Sequence, residues 1–127
     1  MPDAIAPDGS EIFFLAVGDS AASLVEVVLG PGRTSRAVRH RSVREYWYFV
    51  SGSGRLWLRS PDASTTETRL VAAHDVAVIP TGWDFQFQAA RDEALRFLCF
   101  TVPAWPGEDE AIPVPDGGLG EPNVGDS

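Results

Sequence analysis

The stretch Pro31–Gly54, PGRTSRAVRHRSVREYWYFVSGSG, decides the fold of this chain. It carries no helical run of apolar residues three and four apart, and its second half alternates as an extended strand does. Successive strand side chains point to opposite faces of a sheet. Arg36, Val38 and His40 therefore share one face, and Arg39 and Arg41 the other. In the next segment Glu45, Trp47 and Phe49 share a face, opposite Tyr46, Tyr48 and Val50. The glycines of SGSG at 51–54 mark a turn.

The same pattern continues outward. Strands are predicted near 12–17, 23–29, 35–40, 44–51, 55–59, 67–71, 76–79, 85–89 and 95–102. Turn signals separate them: GPG at 30–32, SPDAS at 60–64, AHD at 73–75, PTG at 80–82 and ARDE at 90–93. Many short strands at regular spacing imply an all-β sandwich or barrel. After Pro103 the pattern stops, and residues 103–127 hold five prolines and five glycines. Trp105, Ile112 and Val114 are expected on the barrel wall, with the last ten or so residues mobile. The expected organisation is an N-terminal strand and arm over 1–22, a barrel over 23–102 and an acidic tail over 103–127.

A chain of 127 residues, 44% hydrophobic, suits a single globular domain with a real core. No run of 18 apolar residues suggests a transmembrane helix, and the acidic N-terminus lacks the basic and apolar regions of a signal peptide. The expected location is cytoplasmic, with no membrane partner. The net charge of −8 is uneven. Residues 1–32 and 103–127 carry five and six acids and no base, whereas 33–102 holds all ten arginines against seven acids. Acidic ends argue against a nucleic-acid partner, which requires a basic footprint. The single cysteine, Cys99, precludes an intramolecular disulfide and lies in an apolar segment, LRFLCFTV, that predicts a buried, inert thiol.

The spacing through 31–54 and 74–87 resembles the cupin superfamily. The first cupin motif is glycine, five residues, His, one residue, His, three or four residues, Glu, six residues, glycine. Gly32, His40, Glu45 and Gly52 match it, while Val38 stands at the first His. The second motif is glycine, five residues, Pro, one residue, glycine, two residues, His. Pro80 and Gly82 match; His74 stands at the opening glycine and Phe85 at the final His. The resemblance implies a cupin-type jelly-roll β-barrel, also described as a double-stranded β-helix, and commonly a homodimer.

In cupins the four ligand positions converge on one metal inside the barrel. Here two are polar, His40 and Glu45, and two apolar, so the expectation is no metal cofactor, because catalytic sites usually present three protein ligands. The alternative is a divalent transition metal held by His40, Glu45 and Asp84, as in a dioxygenase, with a β-bulge turning Asp84 inward. Without metal, the expected activity is binding of a small organic molecule, with proton transfer of isomerase, cyclase or lyase type. His40 is then the candidate base and Glu45 its partner or the acid. Arg36, Val38, Trp47, Phe49, Phe85 and Phe87 are the candidate substrate contacts, Arg36 as a clamp for a carboxylate or phosphate. A non-catalytic ligand-binding module is the further alternative. Tyr46, Tyr48, Val50 and Trp57 are expected to form an exposed strip at a subunit interface.

Overall fold

The computed structural model describes residues 1–124. Eleven strands form two antiparallel sheets. The first runs β1 (Ala4–Ile5), β2 (Glu11–Ala16), β3 (Ser23–Leu29), β10 (Leu95–Val102), β5 (Arg44–Ser51), β8 (Val76–Ile79). The second runs β11 (Ala111–Pro113), β4 (Val38–His40), β9 (Asp84–Ala89), β6 (Ser53–Arg59), β7 (Thr66–Ala72). A 3₁₀ turn at Glu108–Glu110 is the one helical element among the described residues, and no helix there is long and apolar enough to cross a membrane.

The all-β expectation holds, and the alternation in β5 is strict: Glu45, Trp47 and Phe49 are buried, Tyr46, Tyr48 and Val50 exposed. The facing sheets enclose an aromatic core centred on Trp47. Its indole stacks on Phe97 at 4.2 Å between centroids and meets Phe49, Phe85 and Phe87 edge-on. Such pairs add to the apolar burial that dominates folding. Gly52, between β5 and β6, has φ 83°, and a Cβ there would run into the carbonyl oxygen of Ala94. Only glycine permits that turn. His74 takes the same left-handed region, φ 77°, at the position where the resemblance has glycine. It is exposed, and its Nδ1 lies 2.8 Å from the Tyr48 hydroxyl.

The segment predicted at 35–40 is regular only at Val38–His40, and just before it Thr34 makes an isolated bridge to Gln88. Both ends of the chain join the sheets: β2 pairs with β3, and β11 with β4. The end of the tail, expected to be mobile, instead straps the outer face of the second sheet. Gln86 there donates from Nε2 to the Gly120 carbonyl and accepts from the Leu119 amide. Asn123 accepts from the Thr34 amide, and Arg33 donates to its carbonyl. Gln86 has fixed the strap because a buried amide must find partners; residues 125–127 of the expected mobile end lie outside the described residues. Under the strap Trp57 packs with Ala37, Val114 and Leu119. Trp57 therefore does not join the strip of Tyr46, Tyr48 and Val50; it belongs to the other sheet and is 6% exposed.

Candidate functional site

A cavity of about 700 Å³ opens between the sheets. Its floor is Val38 and His40 from β4, Glu45 and Trp47 from β5, Val25 and Val27 from β3, and Phe97, Cys99 and Thr101 from β10. Its roof is the N-terminal segment Ala4–Ser10 together with Trp105. The roof is a bonded turn. Ala6 donates to the Ser10 carbonyl, Gly9 to that of Ala6, and Arg36 from its backbone to that of Asp8.

His40 is 5% exposed and meets the rings of Phe85 and Trp105 edge-on, 5.0 and 5.3 Å between centroids. Its Nδ1 is enclosed without a hydrogen-bond partner among the described residues. The ring is oriented by aromatic packing, with no carboxylate bonded to it among the described residues. Glu45, 6% exposed, accepts at Oε1 from Trp47 Nε1 and at Oε2 from Thr101 Oγ1, each at 2.9 Å. His40 and Glu45 thus share the cavity without bonding each other.

A third polar group, Asp8, was not legible in the sequence. Its Oδ1 accepts from the Ser10 amide at 2.9 Å and the Ser10 hydroxyl at 2.6 Å. Burial pushes its carboxyl above the ordinary carboxylate value; the Ser10 hydrogen bonds oppose this, the Glu45 charge adds to it, and His40 opposes it. Burial also pushes the Cys99 thiol well above its ordinary value, and the charges of Glu45 and Asp8 add to the effect. The thiol stays protonated, which suits a structural cysteine better than a nucleophile.

The other candidates divide. Val38 and Trp47 line the cavity. Phe49, Phe85 and Phe87 are buried to within 1% and lie in the core behind it. Arg36, expected as an anion clamp, is absent from the lining; its guanidinium packs beside Gly9, since Arg36 lies before β4 begins and strand parity does not govern it. Asp84 faces the outside of β9. Arg39 Nε bonds its Oδ1 and Arg59 holds its Oδ2, each at 2.8 Å. No bulge turns Asp84 inward, so it cannot complete a ligand set with His40 and Glu45.

The residues present do not fit a metal at the cupin position. Val38 and Phe85 pair across β4 and β9 and are 3% and 1% exposed, so two of four ligand positions are filled with hydrocarbon. Among the described residues no three His, Cys, Asp or Glu side chains gather in a way that could hold a metal ion.

The sequence matches no protein-family model and, at a significant level, no curated protein. Solved structures are similar. A histidine-to-glutamine variant of PAC13 from Streptomyces, with uridine, superposes with TM-score 0.71 at 18% identity, over 92% of this chain and 88% of that one. The fold is that of the cupins. The oxalate decarboxylase of Lactobacillus farciminis, in a formate complex, gives TM-score 0.71 at 24% identity over 90% of this chain. The capsular polysaccharide assembling protein CapF of Staphylococcus aureus gives 0.70 at 17% over 87%. This cupin barrel spans about a third of each of these last two chains, 33% in both cases.

Proposed function

We propose that this cupin binds a small organic molecule in the cavity above His40 and moves a proton on it, without a metal at the four cupin positions. The observation that carries the proposal is His40: nearly enclosed, its Nδ1 without a hydrogen-bond partner among the described residues, and set on the wall of a largely apolar chamber large enough for a ligand. A buried imidazole held purely for structure finds a partner. An imidazole left open to a ligand takes a proton from one position of the substrate and returns it at another, or to a leaving group, as isomerisation, cyclisation and elimination require. Glu45, pinned by Trp47 and Thr101, holds a carboxylate on the wall of the same cavity. Similar structures in complex with uridine and with formate support a small-molecule reading of the barrel.

The test is incubation of the protein in D2O with pooled metabolites, followed by mass spectrometry. One or more compounds should gain deuterium or change mass, and His40→Gln should stop the change while leaving the fold intact. Compounds that bind without exchange or conversion would make this a binding module and overturn the catalytic reading.

The homodimer is proposed for the outer face of the first sheet. Tyr46 faces Phe100 and Val78 there, and Tyr48 faces Leu98 and Val76. Tyr46, Tyr48, Val50, Val76 and Phe100 are all exposed, a continuous apolar patch of the kind that marks interfaces.

A further inference from the structure

The charge of the cavity selects its ligand. Among the described residues two carboxylates, Asp8 and Glu45, line it, and its lining contains no arginine, in a chain without lysine. An anionic ligand would be taken out of water with no opposite charge to receive it, which is costly. We propose that the cavity takes a small organic amine, its ammonium seated between Asp8 and Glu45 and its hydrocarbon body against Val25, Val27, Phe97 and Trp105. This names the ligand class for the small-molecule reading above and rests on it.

Three observations converge on it. The carboxylates have acceptor capacity to spare. Asp8 takes both Ser10 bonds on Oδ1, leaving Oδ2 without a partner among the described residues, and each Glu45 oxygen accepts one protein hydrogen bond. His40, nine-tenths buried and with Nδ1 unpartnered among the described residues, offers a further acceptor when its ring is neutral. The indoles of Trp47 and Trp105 line the cavity, and aromatic rings attract organic cations.

Benzylamine, benzyl alcohol and benzoate share one ring and differ in charge. Their binding to the intact protein is measured by calorimetry, with NMR of the His40 ring and the Asp8 carboxyl as the location check. Benzylamine should bind at least about tenfold more tightly than benzyl alcohol, the scale of a charge-assisted hydrogen bond, and benzoate most weakly. Asp8→Asn keeps an oxygen for the Ser10 bonds and should bring benzylamine down to the level of the alcohol, with the alcohol unchanged. Glu45→Gln should act in the same direction. Equal binding of amine and alcohol, tighter binding of benzoate, or an Asp8→Asn protein that keeps the preference would overturn the proposal and leave the cavity a small-molecule site. Failure of all three compounds to move the His40 and Asp8 resonances would overturn the small-molecule reading with it. Tight Zn2+ binding abolished by Asp8→Asn would assign the carboxylates to a metal and equally refute the amine.

Discussion

If Val38 and Phe85 are what close the metal position, then restoring imidazoles there should open it. The perturbation is the double substitution Val38→His and Phe85→His. Phe85 is 1% exposed and lies against Trp47 and His40, with ring centroids 5.5 and 5.0 Å away. Losing that buried side chain costs about 2–3 kcal/mol of apolar burial. An unpartnered imidazole in its place adds about 1–3 kcal/mol, and the larger side chain at Val38 about 1–3 kcal/mol of overpacking. The metal-free variant should therefore lose about 4–9 kcal/mol, much of the stability of an ordinary domain. With three imidazoles and Glu45 converging, a divalent metal at a hundred times its dissociation constant should return about 2.7 kcal/mol. At roughly 4 °C per kcal/mol for a domain of this size, that is a rise of about 10 °C in Tm. The assay is a thermal melt of both proteins with and without Zn2+, Ni2+ or Mn2+. The wild type should not respond, and Asp84→Asn added to the double variant should leave the metal response unchanged. A folded double variant indifferent to metal, or a wild type that gains as much, would refute the assignment of the four positions.

Three further outcomes follow from named contacts. Glu110 accepts from the Ser42 amide and hydroxyl and the Val43 amide, at 2.7, 2.7 and 2.8 Å. Burial alone would raise its carboxyl, yet these bonds hold it below the ordinary value of 4.5. Its stabilisation is therefore present above that value and lost as pH falls through the lower folded one. Glu110→Ala should cost about 1–3 kcal/mol at neutral pH by denaturant titration, with the gap to wild type closing in acid. Asp8 has the opposite sign. Its raised carboxyl means that folding is favoured below 3.8 and that this advantage is lost as pH rises through the folded value. Asp8→Asn should thus melt higher than wild type at pH 7, by an amount that vanishes in acid. Phe100→Arg, in the exposed patch facing Tyr46, should shift the chain toward monomer in sedimentation, and no shift from a dimeric wild type would move the interface elsewhere.

Much of the barrel was legible because strands write their burial into the sequence at period two. Strand β5, with Glu45, Trp47 and Phe49 inward, could be read residue by residue, and so could the exclusion of Asp84 from the face of Phe85. What lacks a period was illegible. Asp8 sits in a turn held by the Arg36 backbone, and its position does not follow from its neighbours in sequence, whereas Trp105, expected on the barrel wall, does border the cavity. The same limit explains Arg36, assigned by parity to a strand that had not yet begun. The strap failed to declare itself for a different reason: glycine and proline signal turns, but the partners that fix those turns, Gln86 and Thr34, lie more than thirty positions away.

The placement of the four tryptophans makes the barrel its own optical probe. Trp47 and Trp105 border the cavity, whereas Trp57 lies beneath the C-terminal strap on the opposite side of a sheet and Trp83 is half-buried against the core. Indole emission responds to local polarity and quenching, so a Trp57→Phe, Trp83→Phe protein would restrict its fluorescence to the two rings that line the chamber. Light from that protein would follow filling of the cavity in real time, before any substrate has been named or labelled.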